Sequence, residues 1–149
     1  MIIRKAAKKD FEGLKKLKQE FYDWECKHDS RSDPDYIGIA SRLARNLGQK
    51  DTIFYVAEQQ GKLIGYAGAE IKKNPAWVKY RKRGHLFNLY IKKPYRNKGI
   101  GSKLCRKVFS WFAQNNIKDI MIMRYSFNTN ARKLYKKFGF MDYIIEMTR

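Results

Sequence analysis

Gly99 and Gly101 sit in the run Arg96-Asn97-Lys98-Gly99-Ile100-Gly101, between a segment of strand periodicity and one of helix periodicity. Two glycines at that spacing let the backbone turn tightly into a helix and leave several N–H groups pointing outward. The helix that follows adds the positive end of its dipole. A turn of this kind cradles a pyrophosphate, so the region is expected to bind a phosphorylated cofactor. Gly-rich strand-to-helix turns occur in many folds, and the rest of the chain narrows the choice.

The hydrophobic period changes along the chain. Ile2-Ile3-Arg4-Lys5-Ala6 reads as a short strand. Phe11, Leu14, Leu17, Phe21 and Trp24 recur at near-helical spacing and predict an amphipathic helix from Lys8 to Lys27. After a polar break, a second helix is expected over Asp35 to Leu47. Thr52–Gln59 and Leu63–Lys72 read as a hairpin joined at Gln59–Lys62, and Asn74–Gly84 as a basic loop carrying Trp77 and Tyr80. His85–Lys92 is a strand, Ile100–Asn115 a helix, Ile120–Arg124 a strand, Asn130–Phe138 a helix and Phe140–Met147 a last strand. The order β-α-α-β-β-β-α-β-α-β predicts an α/β mixed sheet with helices on its faces.

No repeat or low-complexity linker interrupts the 149 residues, so residues 1–149 are expected to form a single domain. Cys26 and Cys105 are too few for a disulfide framework, and both fall in helical patterns, where they read as reduced, half-buried thiols. The N-terminus lacks a signal-peptide pattern, and no segment approaches the ~18 apolar residues of a membrane span. A cytoplasmic protein with no membrane partner is the expectation. His28 and Cys26 alone do not make a metal site.

The net charge of +19 is unevenly spread. Residues 84–149 hold 14 Lys/Arg against three acids, whereas residues 10–35 hold eight acids against five Lys/Arg. A basic C-terminal half beside an acidic segment suggests an anionic ligand on one side and a cationic one on the other.

A second motif joins the first: Asn128-x-x-Ala131-x-x-Leu134-Tyr135-x-Lys137-x-Gly139-Phe140. With Arg96-x-x-Gly99-x-Gly101, and with the helix and strand between them, the chain resembles the GNAT family of acetyl-CoA-dependent N-acetyltransferases. The element order matches over nearly the whole chain, with the N-terminal helices agreeing in pattern only. The resemblance implies a GNAT-like acyl-CoA N-acyltransferase fold. Its central sheet splays open between the fourth and fifth strands, and the pantetheine arm enters the gap. A bulge in the fourth strand would free backbone groups for that arm.

Mapped onto this chain, the resemblance makes Leu89 and Ile91 main-chain partners of acetyl-CoA, with the Ile91 N–H aimed at the thioester oxygen. Arg96, Asn97, Lys98, Gly99, Ile100, Gly101, Ser102 and Lys103 would surround the pyrophosphate, with Arg106 adding charge. Asn128 would bond the pantetheine arm, although an Asn at a helix start is also a common cap. Tyr135 matches the residue that protonates the departing thiolate; the competing reading is a core aromatic on the face of Ala131, Leu134 and Phe138.

The base is less direct. In polyamine-acetylating relatives an acid falls where this chain has Phe87, and in histone-acetylating relatives where it has His85. On a regular strand 85, 87, 89 and 91 share a face, so His85 is a candidate base, with Glu70 on the neighbouring strand second and Tyr125 third. A water chain with no dedicated base is the other reading.

The acceptor in this family approaches from the first two helices, where Glu20, Asp23, Glu25, Asp29, Asp33 and Asp35 lie. That implies a cationic primary amine: a small amine, a lysine side chain or a peptide N-terminus. Asp33 and Asp35, walled by Trp24 and Tyr36, are the expected acceptor residues, and the Trp77–Tyr80 loop is a further aromatic candidate. The alternative is a basic RNA- or ribosome-associated protein that keeps the fold, suggested by the run Lys79-Tyr80-Arg81-Lys82-Arg83.

Overall fold

A computed structural model describes residues 1–148. Five strands, β1 (Ile2–Lys5), β2 (Thr52–Gln59), β3 (Lys62–Lys73), β4 (Lys82–Ile91) and β5 (Asp119–Ile122), form one sheet in that order. The first three pairings are antiparallel and β4–β5 is parallel, giving the expected mixed sheet. Its helices are α1 (Phe11–His28), α2 (Ile39–Asn46), α3 (Ile100–Gln114) and α4 (Thr129–Lys136).

Each sheet face is covered because its residues alternate in size and polarity. On one face Leu104, Cys105, Val108 and Phe112 of α3 pack onto Ala57, Ala67, Ala69 and Leu86, and the small side chains let the helix lie close. On the other, Leu14 and Leu17 of α1 and Leu43 of α2 meet Phe54, Val56 and Tyr66. Cys105 is therefore fully buried rather than half-buried. The β2–β3 hairpin closes through Gln60 and Gly61 at φ 50° and 73°, the left-handed pair that matches strand twist.

Beyond end shifts of up to three residues, as in α1, β4 and β5, with β4 starting at Lys82 within the expected loop, two predicted elements differ. The second helix begins at Ile39 instead of Asp35, because Asp33 Oδ1 accepts the Asp35 N–H at 2.9 Å and the Asp33 carbonyl accepts the Tyr36 N–H at 3.1 Å. This local turn competes successfully with the helix. The strand expected over Phe140–Met147 does not form: among the described residues that segment pairs with no other strand. The chain leaves α4 through Gly139 at φ 83°, and Asp142 is held by both Arg124 and Arg132. That anchorage ties the segment to α4 and the residues after β5, while Tyr143, Ile144, Ile145 and Met147 stay exposed.

The feature that shapes the site is one extra residue in β4. Gly68 pairs with Asn88 and Ala69 with Leu86, so Phe87 has no partner and forms a bulge. Gly68 makes room for it, since a Cβ there would fall 2.5 Å from Phe87 Cε2. The bulge resets the alternation. Leu86, Leu89 and Ile91 face α3, while Phe87 and Tyr90 face α1. His85 and Phe87 thus share a face that excludes Leu89 and Ile91, correcting the single-face expectation for 85, 87, 89 and 91. β5 pairs with β4 only through Arg83–Leu86, up to the residue before the bulge.

At the far edge, the buried Asp10 carboxylate takes a two-point bond from Arg4 (2.7 and 2.8 Å) and the Ala7 N–H at 2.7 Å. Arg4 also reaches Glu58 on β2 at 2.6 Å, so three elements meet at one guanidinium. The Arg4 hydrogen bonds hold the Asp10 carboxyl below its ordinary value, outweighing burial. A carboxylate depressed in this way stabilises the fold above its unfolded pKa and loses that contribution as pH falls through the folded one. Asp10→Ala should cost about 1–3 kcal/mol in urea denaturation at neutral pH, with the deficit shrinking in acid. An unchanged midpoint at neutral pH would show the cluster to be dispensable.

Candidate active site

The glycine turn sits where β4 hands the chain to α3. Gly99, at φ 75°, is the residue before the helix, and the first intrahelical bond runs from the Lys103 N–H to the Gly99 carbonyl at 3.1 Å. The N–H groups of Ile100, Gly101 and Ser102 precede that rung, and among the described residues no side chain caps them. An anion at this point would meet three amide donors and the helix dipole. Asn97, at φ 61°, turns the chain just before. Ile100 is buried and anchors the turn, while Lys98, Lys103 and Arg106 are exposed around it. Arg96 has a structural task, since its Nε donates to the Ile91 carbonyl at 2.8 Å and its guanidinium lies over the Tyr90 ring.

β4 past the bulge supplies the second wall. The Lys92 N–H bonds the Ile64 carbonyl at 2.9 Å, which makes the adjacent Gly65–Ile91 pair, and in turn Ala67–Leu89, the non-hydrogen-bonded kind. The Leu89 and Ile91 amides therefore point away from β3, into the gap that β5 leaves. A Cβ on Gly101 would lie 3.3 Å from Leu134 and 3.4 Å from Ile91, so the glycine turn, β4 and α4 converge there.

α4 closes this gap. Tyr135 is 9% exposed, packed in the α3-side core beside Phe140. Burial, with Cys105 nearby, pushes its phenol well above the ordinary value, so it stays protonated through neutral pH. It is the core aromatic that its helical face predicts, and it keeps its proton. Asn128 is the N-cap of α4, its Oδ1 accepting the Ala131 N–H at 3.0 Å, which leaves Nδ2 for another partner.

On the α1 side of β4, His85 Nδ1 and Glu70 Oε1 are 3.0 Å apart across the β3–β4 pair, and Lys72 also reaches Glu70 at 2.7 Å. Burial works to raise the Glu70 carboxyl, but the Lys72 and His85 hydrogen bonds outweigh it and hold it below the ordinary value. An ionised Glu70 can only accept, so Nδ1 carries the proton and Nε2 is left as the free basic nitrogen.

α1 crosses this face toward the segment after β5. Trp24 meets Tyr125 and Phe127 with ring centroids 6.0 Å apart in each case, and the Tyr125 hydroxyl reaches Glu25 at 3.4 Å. Burial raises the Glu25 carboxyl and, together with Glu25 and Asp29, raises Tyr125 to about 12. Asp33, Asp35 and Tyr36 are on the exposed turn before α2, where Tyr36 packs on Tyr22. Trp24 thus packs on the residues after β5, whereas Asp33, Asp35 and Tyr36 lie on that turn before α2. Trp77 is 87% exposed on its loop.

Two residues absent from the sequence expectation belong here. Lys18 and Glu25 lie seven apart on the seam of Leu14, Leu17, Phe21 and Trp24, and a charge on a buried seam was the available signal. Lys18 Nζ donates to Asn88 Oδ1 at 3.0 Å and sits 5.6–5.8 Å from the ring centroids of Phe54, Tyr66 and Phe87. Burial draws its ammonium down to about 8.

Residues 12–140 match the model of the acetyltransferase (GNAT) family. Human N-acetyltransferase 8 is 28% identical over 94 residues, 63% of this chain, and the match spans only 40% of that protein. An N-alpha-acetyltransferase of Sulfurisphaera tokodaii is 28% identical over 130 residues, covering 74% of this chain and 76% of its own. The fold superposes on a predicted acetyltransferase from Clostridium acetobutylicum, solved with acetyl-CoA, at TM-score 0.81 and 21% identity, covering 99% of this chain and 95% of that one.

The strained ammonium gives a measurable consequence. With Lys18 lowered from the usual 10.5 to about 8, the unfolded chain binds the proton more tightly, and stability gains from this group as pH rises from 8 toward 10.5. Lys18→Met should raise the melting temperature at pH 7, and the gain should shrink as pH rises through 8 to 10. A pH-independent difference between the two proteins would contradict the burial of this charge.

Proposed function

Because the chain belongs to the GNAT acetyltransferase family, we propose that it transfers the acetyl group of acetyl-CoA directly to a primary amine bound between α1 and β4. The observation that supports this most is the bulge at Phe87, which turns the Leu89 and Ile91 amides into the gap beside an uncapped helix N-terminus. Acetyl-CoA, when bound, supplies the acetyl thioester; the residues present fit it.

The Ile100, Gly101 and Ser102 amides hold the diphosphate, with Lys98 and Lys103 adding screened charge. The Leu89 and Ile91 amides, both turned from β3, meet the arm, and the Ile91 amide stabilises the negative charge that develops on the acyl oxygen. Asn128 Nδ2 steadies the arm from the start of α4. His85 Nε2 takes the proton from the acceptor ammonium, its ring held by Glu70, and Tyr135 gives its hydroxyl proton to the departing sulfur. Burial keeps the phenol protonated and ready to donate; because it is a weaker acid than the thiol formed, its proton moves in step with C–S cleavage and the tyrosinate is reprotonated from solvent.

A thiol-release assay over a panel of primary amines tests the activity. Tyr135→Phe should lower kcat by about 100-fold while acetyl-CoA still raises the melting temperature of the variant. Turnover equal to wild type would remove Tyr135 as the proton donor; loss of the acetyl-CoA shift in both proteins would remove the cofactor site itself.

A further inference from the structure

The acids of the α1 segment suggested a cationic acceptor, yet the charge nearest the bulge is positive. Lys18 is the cation of this face that projects from α1 onto β4 at Asn88, the residue following the bulge. Its partners are one amide oxygen and three aromatic faces; none of the ion pairs among the described residues includes it. The Tyr66 ring beneath it carries a second unfinished group. Its hydroxyl is fully buried and has no hydrogen-bond partner among the described residues.

A half-buried ammonium without a carboxylate, lying over the ring of a tyrosine whose buried hydroxyl has no partner among the described residues, is complementary together with it to one thing, an anionic oxygen group. We propose that Lys18 is the anion-binding residue of the acceptor site, so that the amine acetylated by this protein also carries a carboxylate or a phosphate, received by Lys18 Nζ and the Tyr66 hydroxyl. The inference rests on the acetyl-transfer reading for the word acceptor.

The surrounding charges agree. Arg42 from α2 adds positive potential at Lys18, and Glu25 opposes it from two turns along α1, about 10 Å by helix rise. A polyamine is disfavoured, because its second cation would meet Lys18.

The test uses the full chain loaded with CoA, melted with ω-amino acids from glycine to 8-aminooctanoate and with their neutral amides, at fixed ionic strength. O-Phosphoethanolamine against ethanolamine forms the phosphate arm. Wild type should bind the anionic member at least tenfold more tightly than its neutral partner at one chain length or in the phosphate pair, which also says which anion is read. Lys18→Met should abolish that preference and Lys18→Arg should keep it.

Equal binding of acid and amide at every length together with equal binding of O-phosphoethanolamine and ethanolamine, or a preference that survives Lys18→Met, would overturn the proposal. Growth of one acetyl group on Lys18 when wild type is incubated with acetyl-CoA alone would also overturn it, making this amine the acceptor. The wild-type comparison of acid with amide stands even where a variant fails to fold. Stabilisation by acetyl-CoA in parallel melts reports the cofactor site separately.

Discussion

An extra residue in β4 breaks the hydrogen-bond ladder at one point, and the geometry of the cleft follows from that break. Up to Leu86 the strand is paired on both sides, with β3 and with β5; past Phe87 it is paired with β3 alone. Amides that a regular sheet would consume are left directed into a gap. The same insertion rotates the side-chain alternation, sending Leu89 and Ile91 to the α3 face while His85 and Phe87 stay on the α1 face. Under the proposed reading, the amides past the bulge would meet the cofactor, and the side chains of His85 and its neighbours on the α1 face would meet the acceptor. Gly68 permits the insertion, because any side chain there would collide with the Phe87 ring.

The division of charge follows the division of faces. The glycine turn and α3 offer uncapped amides and exposed lysines to an anion, at the edge of an apolar core that holds Tyr135 protonated. Across β4, the groups are fewer, more buried and individually compensated: Glu70 with His85 and Lys72, Glu25 with Tyr125. Lys18 is the exception, and its depressed pKa measures what its burial costs. Net charge had little to say about this side. Asp33 and Asp35 are exposed, whereas Lys18 and Glu25 are partly buried on the helix seam.

Local signals in the sequence were enough for most of the architecture. Periodicity places α1, α3 and the β2–β3 hairpin within a few residues, since each has a strong apolar stripe or a turn with left-handed residues. The glycine pair locates the helix N-terminus, and the Asn128–Phe140 motif locates α4 and its cap. What the sequence hid was non-local. Nothing in His85-Leu86-Phe87-Asn88 announces a bulge, because the bulge is a relation between β4 and Gly68 of β3. The strand expected over Phe140–Met147 has the right composition but is tied down by Asp142 to Arg124 and Arg132. Lys18 passed as one more surface lysine in a chain of 33 Lys/Arg, although its place between Leu14, Leu17 and Phe21 set it apart.

The most direct measurement is a backbone amide NMR titration of the 15N-labelled chain with acetyl-CoA. The account predicts that the amides of Leu89 and Ile91, together with those of Ile100, Gly101 and Ser102, move as one saturable set. The paired amides of Arg83–Leu86 should stay still. Saturable shifts confined to exposed lysines of α3, or shifts running through Arg83–Leu86 while Leu89 and Ile91 remain unmoved, would contradict the bulge as the origin of the site.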